Sequence, residues 1–276
     1  MSNYPKRNQL RLVALDLDGT VICSRGEAPI SERVKRAVAA LQQDGIAVTF
    51  VTGRTEDYAA PIAAEFGIDK PLVTYNGARL VSVREERVIY RAKVDRSAAA
   101  QICEWLQASD EVVACYLNRD NKLHLVQNRC SGRPDHDDHL FGTPRHLVAS
   151  LPDEIREDNS EVSKLIVATQ RPLDREILER FGPVVQVVRT HQELLEILPL
   201  GVSKGDGVMR LCSLLDIDPA QVLAIGDQDN DISTFEVCGF SVAMGDAPAR
   251  VKDAATFITE TFAEDGCARA LERIAK

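Results

Sequence analysis

Four short segments carry side chains that could together hold a phosphate and a cation. The first is Asp16-Leu17-Asp18-Gly19-Thr20, two carboxylates placed directly behind the apolar run Leu10 to Leu15. Carboxylates crowded in this way repel, and Mg²⁺, which prefers oxygen ligands, relieves that repulsion. Gly19 lets the chain turn sharply and lets backbone N–H groups approach an anion. Taken alone, an ordinary Asp/Gly turn at a strand end has the same composition. The second segment, Thr52-Gly53-Arg54, offers a hydroxyl, a bare backbone and a guanidinium, all donors to phosphate. Its plain alternative is a helix cap followed by a solvated arginine. The third, Ser203-Lys204-Gly205, sets a lysine where a helix should begin. The helix dipole disfavours a cation there unless an anion lies between them, though a lysine reaching into solvent is the commoner case. The fourth, Gly226-Asp227-Gln228-Asp229-Asn230-Asp231, packs three carboxylates into five residues, a costly field without a cation. An acidic turn capping the next helix is the alternative.

The surrounding pattern predicts how these segments are held. Leu10 to Leu15, Ala47 to Val51, Leu72 to Thr74, Val222 to Ile225 and Phe240 to Ala243 are short apolar runs that read as buried strands. Between them, Ser31 can cap a helix with Val34, Val38 and Leu41 on one face, ended by Gly45, and Thr55 to Phe66 reads as a second helix, followed by Gly67. Ser203 can cap a helix to Leu215, and Cys267 to Ile274 a closing one. Strand and helix alternate, which predicts a doubly wound, Rossmann-like α/β core with a parallel sheet covered on both faces. All four segments then lie at strand ends or helix starts of one sheet, where such folds bind ligands.

After Ser82 the pattern changes. Val88 to Arg91, Val112 to Leu117, Lys122 to Val126, Lys164 to Ala168 and Val184 to Val188 read as strands, with helices over Asp95 to Leu106 and Leu173 to Phe181. A hairpin is expected at Asn118 to Asn121, and Asn128 to Asn159 gives no clear element. The expectation is a discontinuous core, residues 1–82 and 190–276, interrupted by an α+β cap over 83–189.

In this order, the segments resemble the four motifs of the haloacid dehalogenase-like hydrolase superfamily: DLDGT, TGR, Lys204 in GVSKGDG, and GDQDND. The stretch GFSVAMGDAPARVKDAA, the later EDG, and Asn76-Gly77-Ala78 are similar to its Cof-type branch, which inserts a type IIB cap between the second and third motifs. The likeness covers about residues 10–82 and 195–276; the insertion matches only in placement and approximate length. The resemblance implies a Mg²⁺-dependent phosphatase acting on a small phosphorylated metabolite through an aspartyl-phosphate. Asp16 would be the nucleophile and Asp18 the acid and then the base. Mg²⁺ would be held by the Asp16 carboxylate, the Asp18 backbone carbonyl and the Asp227 carboxylate, with Asp231 in support. Thr52, Lys204 and Asn230, with backbone N–H groups near Leu17 and Gly53, would hold the phosphate. The active site would lie in a cleft between core and cap. Gln228 stands where the family often has Asn, and Asp246 follows Gly245 where the branch often has Asn. Neither is an implied ligand, so activity is expected to survive, with altered hydrogen bonding around the metal.

Composition narrows the alternatives. Hydrophobic residues make up 45% of the 276, enough for a real core. A formal charge of -9 argues against general nucleic-acid binding, which needs a basic surface. No segment approaches the roughly 20 apolar residues of a membrane helix, and MSNYPKRNQLRLVALDLDG lacks the pattern of a cleaved leader. Seven cysteines without a close pair read as free thiols, so a cytoplasmic protein is expected, monomeric or a small homo-oligomer, with no membrane partner. Cys130, His136, Asp137, Asp138 and His139 fit no usual zinc spacing and read as a polar loop. His124, Arg129, His146 and His191 could touch substrate but read as ordinary surface residues. Two readings compete with a hydrolase: a sugar-phosphate phosphomutase, and a catalytically silent protein that binds phosphometabolites. Intact Asp16, Asp18, Lys204 and Asp227 argue against the silent one.

Overall fold

A computed structural model describes residues 4–23, 29–119, 122–131, 145–156, 161–191 and 193–274. It divides into two units, Met1–Tyr90 with Ser203–Lys276, and Arg91–Val202. The first unit begins with β1 (Leu12–Leu15), α1 (Glu32–Gln43), β2 (Ala47–Phe50), α2 (Glu56–Glu65), β3 (Leu72–Thr74), β4 (Arg79–Ser82) and β5 (Arg87–Arg91). The second contains α3 (Arg96–Ala108), β6 (Val112–Arg119), β7 (Lys122–Gln127), β8 (Arg145–Leu147), α4 (Leu151–Arg156), β9 (Glu161–Ala168), α5 (Leu173–Phe181), β10 (Val185–His191) and β11 (Leu194–Pro199). The first unit resumes with α6 (Lys204–Leu215), β12 (Val222–Gly226), α7 (Asp229–Val237), β13 (Phe240–Ala243), α8 (Ala249–Ala254), β14 (Phe257–Ile258) and α9 (Gly266–Glu272).

The core sheet runs β14-β13-β12-β1-β2 with every pairing parallel. β1 explains why its sequence is a continuous apolar run. Leu12 and Ala14 pack with Val208, Leu211 and Cys212 of α6. Val13 and Leu15 pack with Val34, Val38 and Leu41 of α1 and Leu271 of α9. A strand buried on both faces has no polar side, so this is the doubly wound α/β core that the pattern predicts. Local chemistry starts the helices: Ser31 Oγ accepts from Arg33 N–H, and Ser203 Oγ from Asp206 N–H. β3 joins the sheet's edge through a parallel bridge, Val51 to Val73, and then pairs antiparallel with β4.

The second unit is α+β. Its sheet runs β10-β11-β9-β6-β7-β8, antiparallel except for β7 with β8. A core of Ile102, Leu106, Val113, Cys115, Leu165, Ile177 and Ile197 joins that sheet to its helices. The boundaries differ from those expected at residues 83 and 190. Residues 79–90 stay with the first unit because β4 pairs with β3 and Tyr90 stacks on Arg210 of α6, 4.4 Å from ring centre to guanidinium. Residues 190–202 stay with the second because β11, which the sequence reading did not assign, is zipped between β10 and β9. β8 and α4 fall in the stretch left without an assignment. Residues 120 and 121 of the expected hairpin, and His136, Asp137, Asp138 and His139, lie outside the described residues. Among the described residues no helix is long and apolar enough to cross a membrane, and all seven cysteines are free.

The β11 assignment has a measurable consequence. Ile197 is fully buried in the second unit's core whereas Leu200, just past the strand, is 56% exposed. Ile197→Ala should cost about 2–5 kcal/mol in urea unfolding. Leu200→Ala should stay within about 0.5 kcal/mol of the parent.

Candidate active site

The carboxyl ends of β1 and β12 lie side by side, because Ala14 and Leu15 pair in register with Ala224 and Ile225. The ladder continues one step: Asp16 N–H donates to the Ile225 carbonyl at 2.9 Å. This brings Asp16 next to Asp227, although 211 positions separate them in the chain (227 − 16). Lys204, the first residue of α6, reaches in from the other side. Its Nζ donates to Asp16 Oδ1 at 2.6 Å and to Asp231 Oδ1 at 2.7 Å. All of these side chains are buried, Lys204 to 2% exposure.

Asp227 and Asp231 have different occupations. Asp231 spends both oxygens inside the protein: Oδ1 accepts from Lys204, while Oδ2 accepts the backbone N–H groups of Asp227 (2.9 Å) and Gln228 (3.0 Å). Asp227 Oδ2 accepts from Gln228 Nε2 at 2.9 Å, and its Oδ1 is buried without a hydrogen-bond partner among the described residues. The third acid of that segment, Asp229, turns away to pair with Arg250. The crowding anticipated from three acids in one segment is therefore made by two, with Asp16 as the third member. Gln228 holds the neighbouring carboxylate, while Asp246 accepts from Phe262 N–H at 3.3 Å. Gly19 closes the loop from β1 at φ +80°, and a Cβ there would fall 2.3 Å from Asp227 Oδ2. Only glycine meets both demands.

Asp18 is handled apart from the cluster. Its two oxygens accept from Arg54 Nε (2.8 Å) and Nη2 (2.6 Å), a bidentate pair, and the same guanidinium stacks on Tyr58. Arg54, considered from sequence as a phosphate donor, is thus committed to Asp18. Thr52 is buried, and its Oγ1 accepts from Arg54 N–H at 3.1 Å. Leu17 is buried beneath the loop, its carbonyl accepting from the N–H groups of Thr20, Val21 and Ile22. Asn230 Nδ2 donates to Asn76 Oδ1 at 2.9 Å, and the Asn76 amide in turn lies against Gly53. The structure therefore gathers every residue of the four segments into one unit. Sequence reasoning did not anticipate the roles of Arg54 and Gln228 or the contact of Asn76 with Asn230. The signal for Asn76 was present in its Asn-Gly turn.

Burial and mutual repulsion dominate the electrostatics of the site. Burial pushes the Asp16 carboxyl well above the usual carboxylate range, against the pull of Lys204, and Asp231 and Asp227 push it further. Burial, with Asp231 next, raises Asp227 to about 7. Burial alone would lower Lys204, but Asp16 and Asp231 outweigh it and hold the lysine protonated. Among the described residues, Asp16, Asp227 and Asp231 bring a carboxylate oxygen each within 4.8 Å of one another. With all three carboxylates ionised, one ammonium would leave a negative excess, which protons or a cation must offset. An all-oxygen donor set with an unpartnered Asp227 oxygen suits a hard divalent cation such as Mg²⁺. Asp231, saturated by Lys204 and two backbone donors, orients the others.

Two outcomes follow for protein kept in chelator. Lys204→Met strands Asp16 and Asp231 together and should cost about 3–5 kcal/mol in urea unfolding. Asp227 binds its proton more tightly folded than unfolded, so its ionisation destabilises the fold as pH rises from about 4 to about 7. Asp227→Asn lacks that penalty: its stability relative to the parent should climb across this window, as read by urea unfolding at successive pH values.

A family model described as haloacid dehalogenase-like hydrolase matches residues 13–271. The stress response protein YhaX of Bacillus subtilis (strain 168) is 28% identical over 264 residues, covering 94% of this chain and 91% of YhaX. The 5-amino-6-(5-phospho-D-ribitylamino)uracil phosphatase YwtE of the same organism is 26% identical over 289 residues, covering 96% of this chain and 98% of YwtE. A crystal structure of a haloacid dehalogenase-like hydrolase from Bacteroides thetaiotaomicron superposes with a TM-score of 0.82 at 26% identity, covering 96% of this chain and 100% of that one. With its motif residues converging at the carboxyl edge of one parallel sheet, this chain belongs to the haloacid dehalogenase-like hydrolase family.

Proposed function

We propose that the protein is a Mg²⁺-dependent phosphomonoesterase that hydrolyses a small phosphorylated metabolite, a sugar phosphate or similar compound, through an aspartyl-phosphate on Asp16. The observation that carries this reading is the buried Lys204 bridging Asp16 and Asp231 beside the unpartnered oxygen of Asp227. A substrate carrying its phosphate on a sugar-like chain is supported by the phosphoribityl compound for which the phosphatase YwtE is named. A cytoplasmic setting accords with seven free thiols, and a monomer or small homo-oligomer would serve.

The Asp16 and Asp227 carboxylates and the Asp18 backbone carbonyl would hold Mg²⁺, which when bound offsets the negative charge that otherwise keeps carboxylate and phosphate apart. Lys204, Thr52 and Asn230, with backbone N–H groups near Leu17 and Gly53, hold the phosphate oxygens. Lys204 also fixes the direction of Asp16. An Asp16 oxygen attacks phosphorus as the bond to the leaving oxygen breaks, and Asp18 gives that oxygen its proton. Water then attacks the phosphoaspartate, Asp18 takes the proton back, and orthophosphate leaves with Asp16 restored. Splitting one displacement into two lowers each barrier. Asp18 must exchange at least one Arg54 contact for the leaving oxygen, and the arginine's second N–H bond can keep it aimed while it does so. Positioning and charge neutralisation are most of what phosphoryl transfer needs.

Purified protein should release p-nitrophenol from p-nitrophenyl phosphate with Mg²⁺ and stop in excess chelator. Asp16→Asn should fall to background and lose the hydroxylamine-labile phosphoryl label that the parent acquires from substrate. Turnover in Asp16→Asn equal to the parent's would defeat the mechanism. Transfer of label from a sugar bisphosphate to a monophosphate would favour a mutase, and tight binding of phosphometabolites without turnover would favour a silent protein.

A further inference from the structure

Tyr75, Asn76 and Gly77 adopt positive φ in succession, at 52°, 53° and 93°. No other run of this kind occurs among the described residues. A left-handed backbone is easy for glycine and tolerable for asparagine, but it is strained for a buried tyrosine. Such a conformation persists only where its surroundings over-determine it. Here Tyr75 N–H donates to the Arg54 carbonyl and Asn76 N–H to the Thr52 carbonyl, each at 3.0 Å. The Tyr75 ring is fully buried with the Arg79 guanidinium 4.9 Å from its centre, and Arg79 pairs with Glu56 of α2.

What the strain achieves is contact with every phosphate-holding segment of the proposed site except the loop after β1. The turn hydrogen-bonds to Thr52 and Arg54. Gly77 abuts the cap of α6, where a Cβ would lie 1.9 Å from the Ser203 carbonyl oxygen, one residue before Lys204. The Asn76 side chain, 1% exposed, does the rest: its Oδ1 accepts from Asn230 Nδ2 at 2.9 Å. Its amide atoms lie 3.1 Å from the place a Cβ would occupy on Gly53. Core packing alone would be served by an apolar side chain; a buried amide shared between two chain-distant segments serves alignment.

We propose that Asn76 is a positioning residue for phosphate binding: the left-handed turn presents its amide so that Asn230 and the Gly53 backbone are held in one mutual geometry. This rests on the phosphatase reading above. Asn76 orients its neighbours and need not touch phosphate itself.

Asn76→Gly tests this with little disturbance, because glycine accepts the same backbone and only the amide is lost. The probes are orthophosphate binding by calorimetry with Mg²⁺ present, p-nitrophenyl phosphate kinetics, and the rise in melting temperature on adding Mg²⁺. Orthophosphate affinity and kcat/KM should both drop about 10–100-fold, while the Mg²⁺-induced rise stays at the parent's value. In an Asn230→Ala background the same glycine substitution should weaken orthophosphate binding far less, since Asn76 acts through Asn230. Asn76→Asp keeps the accepting oxygen but sets a charge beside Gly53, and it should weaken orthophosphate binding at least as much; it replaces the glycine variant should that one not fold. Parent-like orthophosphate affinity in the folded variant, or fully additive effects in the double substitution, would overturn the proposal and leave the phosphatase reading intact. A parent protein that neither binds orthophosphate nor turns over substrate would remove both.

Discussion

The site depends on burying like charges together. Asp16, Asp227 and Asp231 sit in low-dielectric surroundings around a single ammonium, and the arrangement is tolerable only because Lys204 divides its protons between two of them. Breaking a buried ion pair is costly because the remaining charge is left uncompensated. The fold therefore carries an electrostatic debt that a cation settles. This also explains why Asp231 is anchored so completely. With both oxygens engaged by Lys204 and by backbone N–H groups at the start of α7, it sets where Lys204 and Asp227 stand.

The sheet makes that convergence possible. Parallel strands all end on the same edge, so loops that are far apart in sequence open side by side. β1 and β12 deliver Asp16 and Asp227 in adjacent registers, and the bridge from Val51 to Val73 sets the Thr52 loop beside the turn at Asn76. Helix starts complete the set, since α6 and α7 place Lys204 and Asp231 within their first turns. Ser203 at the cap of α6 contributes its hydroxyl to the Asp206 N–H, leaving Lys204 free to turn inward.

The core was legible in the sequence because two-sided burial writes itself as unbroken apolar runs, as in Leu12–Leu15 and Val222–Ile225, and because Ser31 and Ser203 mark helix starts. β11 was missed where the signal is mixed: Glu196 interrupts an apolar run and is buried by pairing with Lys164 of β9, a compensation that only tertiary structure reveals. β4 was missed because it is only four residues long and opens on Arg79 and closes on Ser82, and that arginine too is buried against a partner, Glu56. At the site, residue types and spacing named the acids and the lysine. They could not say how each acid would be used. Asp229 and Asp231 look equivalent in the chain, yet one pairs with Arg250 near the surface and the other with Lys204 in the interior. Two helical positions, about 200° of rotation, separate inward from outward, and each cation comes from another part of the sequence.

The separate treatment of Asp18 follows from the same charge argument. A fourth carboxylate turned into the cluster would add to the repulsion already acting on Asp16. Instead Asp18 has its own cation, Arg54, stacked on Tyr58, and it remains 27% exposed by side chain while Asp16 is 5%. In the proposed mechanism these two acids need opposite properties. The nucleophile must keep one geometry and stay unprotonated while it attacks; the acid and base must gain and lose a proton each turnover. Two carboxylates two residues apart on one loop can do both only if their environments differ. Lys204, rigid at a buried helix start, suits the first task. Arg54, with a planar fork that can release one N–H bond while keeping the other, suits the second.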